Sequence, residues 1–203
     1  MVEWVVPATP AHRLQTPEEA EEGRRSGRKL PPPEVLQPPL DPALPSYAPR
    51  GEKLTGTFKG GASDVLAVLV QKWFEKFRAW HPEVNLSISP PYAGSLGATE
   101  LVKEHLDFVF VSRELRPDDI RDFKEKFGYE PLSVPVCGGS YRHFGALDAV
   151  AFFVNKAPGK PLPPALDELL RFILSREGQQ VVLDQASYIP LRGTQAQSSR
   201  AHF

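Results

Sequence analysis

Apolar positions along residues 51–203 follow two periods, one of two residues and one of three to four, and the two alternate. Val84–Ile88 alternates apolar and polar side chains, as a strand with one covered face does. Leu106–Val111 (LDFVFV) is nearly all apolar, the pattern of a strand covered on both faces. Leu132–Cys137 and Ala149–Val154 read as two more strands, and Lys53–Phe58 as a short first one that Lys59-Gly60-Gly61 closes with a turn. Between the strands the period becomes helical. Ser63 or Asp64 is placed to cap a helix over 65–80, in which Leu66, Leu69, Val70, Trp73, Phe77 and Trp80 fall near one face. That spacing assigns its tryptophans to the core. A second helix follows the Tyr92–Gly97 loop to about His105. A third runs from Pro117 to Phe127, with Asp118 and Asp119 early, Lys124 and Lys126 late, and Gly128 to stop it. Pro164–Leu174 and Arg176–Gln185 read as closing helices.

Alternation of this kind predicts an α/β fold, a Rossmann-like, mostly parallel sheet with helices on both faces. In such sheets ligands bind outside the carboxyl ends of the strands. Three loops are expected there: residues 57–63, 94–97 and 112–113. The first two run into helix N-termini, where unpaired amides and the positive dipole end favour an anion. Thr57, Ser63, Ser95 and Ser112 add hydroxyl donors, and Arg113 adds a planar fork of donors suited to a tetrahedral oxyanion. A serine before a helix most often caps that helix, so the convergence of three loops, rather than any one serine, points to a ligand.

Charge narrows the function classes. Lys and Arg total 24, Asp and Glu total 25, and the net charge of −1 gives no basic footprint for nucleic acid. Of 22 prolines, 11 fall in the first 50 residues, beside an acidic and a basic block in Glu18–Lys29. Residues 1–50 are therefore expected to be a disordered Pro-rich arm, residues 51–192 the globular domain, and residues 193–203 a disordered tail. Cys137 is the one cysteine, which excludes an intramolecular disulfide and a Cys-rich metal site; in a strand it reads as a buried, inert thiol. No apolar run is long enough to span a membrane, and Met1–Pro10 lacks the features of a signal peptide. Enzyme signatures are weak. GTFKGG lacks the Lys-Ser/Thr ending of a P-loop, GSLGA is not a nucleophile elbow, and His81, His105 and His143 have no metal-ligand spacing. No catalytic residue, metal or cofactor is expected. Asp107 reads as a partner for a helix amide or for a neighbouring loop.

Several segments together resemble the periplasmic phosphate-binding proteins of ABC transporters, which have the type II solute-binding fold. They are Gly56-Thr57-Phe58, WFEKFRAWHPEV, Gly94-Ser95-Leu96-Gly97, LDFVFVSREL, DIRDFKEKFGYEP, AVAFFVN and the closing LRFILSREGQQVVLDQASYIPL. The SREGQ to Tyr-x-Pro-Leu stretch is the most specific of them. The resemblance covers about Leu54–Leu191. It implies non-catalytic binding of inorganic phosphate or a similar oxyanion, a transporter permease as partner, and a periplasmic or extracellular location. It also implies Thr57, Phe58, Ser95, Ser112 and Arg113 as binding residues. Two departures stand out. Family members close two lobes over the ligand, whereas here AVAFFVN runs almost directly into the closing helices, so a single lobe is expected. Arg113 also stands where the family has an acid that accepts the proton of hydrogen phosphate, which leaves the preference for phosphate over sulfate open. The rival readings are an interaction protein built on the lobe, with the Pro-rich arm recruiting a partner, and a small α/β enzyme using Ser112 or Asp107.

Overall fold

The computed structural model describes residues 40–88, 95–112, 115–139, 149–185 and 188–203. Five strands form one sheet: β1 (Gly56–Ala62), β2 (Val84–Ile88), β3 (Phe108–Val111), β4 (Leu132–Gly138) and β5 (Ala149–Val154). Their order is β2-β1-β3-β5-β4. β1 pairs in parallel with β2 and β3, while β5 is antiparallel to both β3 and β4. Four strands thus share one direction and β5 opposes them, which makes the sheet mostly parallel, as the alternating pattern predicts.

Among the described residues six α-helices flank it: α1 (Ala67–Trp80), α2 (Ser95–Val102), α3 (Pro117–Phe127), α4 (Pro164–Ile173), α5 (Arg176–Gln185) and α6 (Gly193–Arg200). A 3-10 turn at Asp64–Leu66 leads into α1. The all-apolar β3 serves two cores at once. Phe108 and Phe110 point to a large core shared with Trp73, Phe77, Phe152 and Leu169, while Val109 and Val111 point to a smaller one with Leu101, Phe123 and Phe153. Phe152 stacks on Phe108 at 5.3 Å between ring centroids and meets Phe110 edge-on at 5.1 Å.

Local signals set α3 as expected, with Pro117 in its first turn and Gly128 at φ 79° ending it. Four expectations change. Lys59-Gly60-Gly61 is not a turn but part of β1. A Cβ at Gly60 would stand 2.0 Å from the Phe108 ring, so this glycine permits close approach of a side chain rather than a reversal of the backbone. Trp80 is not core: it ends α1 with 52% of its surface exposed.

The remaining two changes concern the ends of the domain. Residues 40–50, assigned to the disordered arm, pack on it; residues 1–39 lie outside the described residues. Leu44 and Tyr47 are buried in the large core, because an extended proline-rich backbone can still lay its scattered apolar side chains on a surface. Residues 193–203, assigned to a disordered tail, instead begin with α6. Ala196 and Ser199 are buried, and the Ser199 hydroxyl donates to the Pro135 carbonyl at 2.7 Å. The two end segments hold each other. The Asp41 carboxylate accepts from the Gly193 amide at 2.9 Å, at the N-terminus of α6, and these backbone bonds hold its pKa below the ordinary value.

Candidate anion-binding site

β1 and β3 run side by side with Ala62 paired to Phe110. The next residue, Ser63, continues the ladder by donating its amide to the Phe110 carbonyl at 3.0 Å. Ser112 follows Val111 at the end of β3. Ser63 and Ser112 therefore sit on neighbouring strand ends, on strands about 4.8 Å apart, at the carboxyl edge of the sheet. Ser95 begins α2, the helix that follows β2.

Ser63 is the residue that marks this edge as a candidate site. It is 3% exposed, it makes no side-chain cap bond to the turn it precedes, and its hydroxyl has no hydrogen-bond partner among the described residues. A cap bond would have used that oxygen as an acceptor; here the buried hydroxyl neither accepts nor donates among the described residues, an arrangement that costs free energy unless something fills it. Asp64 is exposed next to it, and its carboxylate accepts from the Val65 amide at 2.9 Å.

The closing segment fixes this edge from behind. Gln179 is fully buried; its Nε2 donates to the Val136 and Ile173 carbonyls, both at 2.9 Å, and its Oε1 accepts from the Leu191 amide at 2.7 Å. The Gly138 amide at the end of β4 donates to the Ile189 carbonyl at 2.7 Å. The Tyr188 hydroxyl donates to the Val65 carbonyl at 3.1 Å, holding the turn that follows Ser63. The specificity of the SREGQ and Tyr-x-Pro-Leu motifs is thus scaffolding: they position the edge rather than line it.

Of the five expected binding residues, Ser112 stands at the edge and Ser95 at the start of α2, with the Ser95 side chain outside the described residues. Arg113 lies outside the described residues. Thr57 and Phe58 do not stand at this edge. They belong to the first half of β1, and at about 3.3 Å per residue Thr57 is some 16 Å from the strand's carboxyl end. Thr57 is exposed there and Phe58 packs against the large core. β1 runs four residues beyond Phe58, so of the expected loop 57–63 only Ser63 lies past the strand's carboxyl end. Asp107 precedes β3 at the opposite edge, where its carboxylate accepts from the Lys59 amide at 2.7 Å. Cys137 is buried and free, and burial pushes its thiol pKa far up, as an inert thiol requires. Among the described residues no group of three His, Cys, Asp or Glu side chains could hold a metal ion.

The sheet is thus mostly parallel with one antiparallel strand, and the candidate site lies at its carboxyl edge. The structure of a possible phosphate binding protein from Planctomyces limnophilus shares the fold with a TM-score of 0.63 at 13% identity, covering 73% of this chain and 98% of that one. No family model matches the chain. In sequence, the chain is similar to the phosphate-binding protein PstS of Pseudomonas aeruginosa strains PAO1 and UCBPP-PA14. It is 34% identical to each over 118 residues, which are 58% of this chain and 33% of the relative. The chain thus spans about a third of the length of the curated relatives it matches, and the resemblance read from its motifs is borne out.

Proposed function

We propose that this chain binds inorganic phosphate or a similar oxyanion, without catalysis, at the carboxyl edge of its sheet. It would act as the solute-binding component of an ABC-type importer, meeting a membrane permease in the periplasm or outside the cell. The observation that supports this most is the buried, unused hydroxyl of Ser63 at the entrance to α1. In this reading Ser63 and Ser112 donate hydroxyls, Ser95 adds a donor at the start of α2, and Arg113 supplies the neutralising charge. Thr57 and Phe58 have no part in it. Among the described residues no helix is long and apolar enough to cross a membrane.

Only residues 155–163 connect β5 to α4, so no second lobe is inserted there to enclose the anion. Charge-assisted bonds contribute about 1.5–3 kcal/mol each, but an open edge leaves part of the anion in water, which screens them. We expect a dissociation constant on the order of 1 mM. Calorimetric titration with phosphate, with chloride as the control, tests this. Ser63→Ala should weaken binding about tenfold and Arg113→Ala should abolish it. Phosphate affinity unchanged in both variants would reject the site.

A further inference from the structure

At the opposite edge, by the amino ends of β1 and β2, a pocket of about 240 Å³ is lined by Pro49, Glu52, Leu54, Trp80, His81 and Glu83, among others. His81 is 6% exposed, and a hydrogen-bond chain sets its protonation. The Tyr47 hydroxyl donates its one proton to Glu168 Oε1 at 2.9 Å. The 2.7 Å contact between that hydroxyl and His81 Nε2 is therefore donated by the ring. Arg50 and Arg171 lie 3.7 and 3.6 Å from the other Glu168 oxygen and favour the carboxylate as acceptor. The proton of His81 is thus on Nε2, and Nδ1 keeps its lone pair. Nδ1 has no partner among the described residues, so it is the ring nitrogen left for an occupant of the pocket.

The rest of the lining has matching chemistry. Trp80, 52% exposed, offers aromatic surface at the rim, with Tyr47 edge-on at 5.7 Å. The Glu52 carboxylate is exposed and unpaired among the described residues, and Glu83 pairs with Lys53 at 2.7 Å. Two acids against one base leave the lining negative. An anion would meet carboxylates and a lone pair, and an apolar molecule would leave Nδ1 without a donor. We propose that this pocket is a second ligand site, for a small organic cation with N–H donors, an alkylammonium or alkylguanidinium group. The donor would bond His81 Nδ1, the charge would rest between Trp80 and Glu52, and the alkyl part would lie on Leu54 and the prolines. This inference does not depend on the anion site at the other edge.

Titration of the full chain with n-butylguanidinium, followed by NMR of the His81 ring nitrogens and the Trp80 indole, tests it. N-butylurea is the neutral control of the same shape. The cation is expected to bind with a dissociation constant on the order of 1 mM and the urea about tenfold more weakly. Glu52→Gln, an exposed change that cannot threaten folding, should weaken cation binding about threefold. His81→Phe should abolish it. Cation binding should also fall as acid protonates the ring, because a proton on Nδ1 removes the acceptor and repels the ligand. The groups facing His81 are Tyr47 and Glu168, with Glu52, Lys53 and Glu83 around the pocket. Three results would each overturn the proposal: equal responses to the guanidinium and the urea, no response to the guanidinium at tens of millimolar, or a free-protein spectrum with the proton on Nδ1.

Discussion

Gln179→Leu isolates what the closing motif contributes. Leucine nearly matches glutamine in volume, so packing in α5 is preserved and the amide is lost. The change leaves the Val136 and Ile173 carbonyls and the Leu191 amide without the partner they share. Each buried polar group left unsatisfied costs about 1–3 kcal/mol, and partial relaxation keeps the sum near 3–6 kcal/mol. A domain of this size has only about 5–15 kcal/mol of stability. At roughly 2–4 °C per kcal/mol, the melting temperature should drop by about 6–24 °C. Urea unfolding followed by tryptophan fluorescence is a suitable assay, because Trp73 is fully buried and its indole donates to the Gly178 carbonyl, next to the mutated position. Gln180→Leu is the matched control. That side chain is exposed and, among the described residues, bonds Asp184 alone, so its loss should be within about 0.5 kcal/mol of neutral. A Gln179→Leu cost below about 1 kcal/mol would refute the scaffolding role, and with it the explanation of why this motif is so specific.

Tyr47→Phe removes the hydroxyl shared by His81 and Glu168 and should cost about 1–3 kcal/mol in the same urea assay; a neutral result would mean the chain of bonds is not held in solution. Gly60→Ala drives a methyl into the Phe108 ring and should cost at least about 1–3 kcal/mol, whereas a turn glycine with ordinary backbone angles would tolerate the change. Burial holds the His81 pKa below its ordinary 6.5, so the unfolded chain binds that proton more readily than the native one; stability should fall as pH drops through about 6.5 and level off once native His81 is protonated. An unfolding midpoint that does not move between pH 7.5 and 5.5 would contradict this. Sulfate should compete with phosphate within about one decade of affinity, since the position after Ser112 holds Arg113 instead of a proton-accepting acid. Strong rejection of sulfate in calorimetry would instead point to Asp64 as the acceptor, because Asp107 lies at the far edge.

Elements with local signals were legible in the sequence. β2, β5, α3 and α5 have the bounds that their periods and end residues predict, because alternation, a first-turn proline and a left-handed glycine each act within a few residues. The apolar run of β3 also announced burial on both faces. Residues 40–50 and α6 were not legible, because their stability is mutual. Asp41 holds the start of α6, and a Cβ at Gly193 would come within 2.8 Å of Ala43. Neither segment has an apolar period strong enough to be called ordered by itself, so only their contact reveals them. Trp80 was misplaced for the opposite reason: its spacing fits the buried face of α1, but the helix ends at that residue and the ring sits at the mouth of a pocket.

The candidate site depends on one ambiguity of this kind. Two consecutive glycines after an alternating stretch mark a turn by composition, and in this chain they mark a strand passing beneath an aromatic ring. The difference is set by Phe108, which is 48 residues away from Gly60 in sequence and its direct partner in the sheet. Ending β1 at Phe58 made the whole of residues 57–63 a loop, whereas the strand runs on to Ala62 and only Ser63 stands at its carboxyl end. Local pattern could place a helix N-terminus but not the strand end facing it, because that end is fixed by pairing with β3. Whether a serine caps its helix or waits for a ligand is likewise a property of the folded edge. Ser63 is read as waiting because its hydroxyl is buried and the Val65 and Leu66 amides of the turn are satisfied without it.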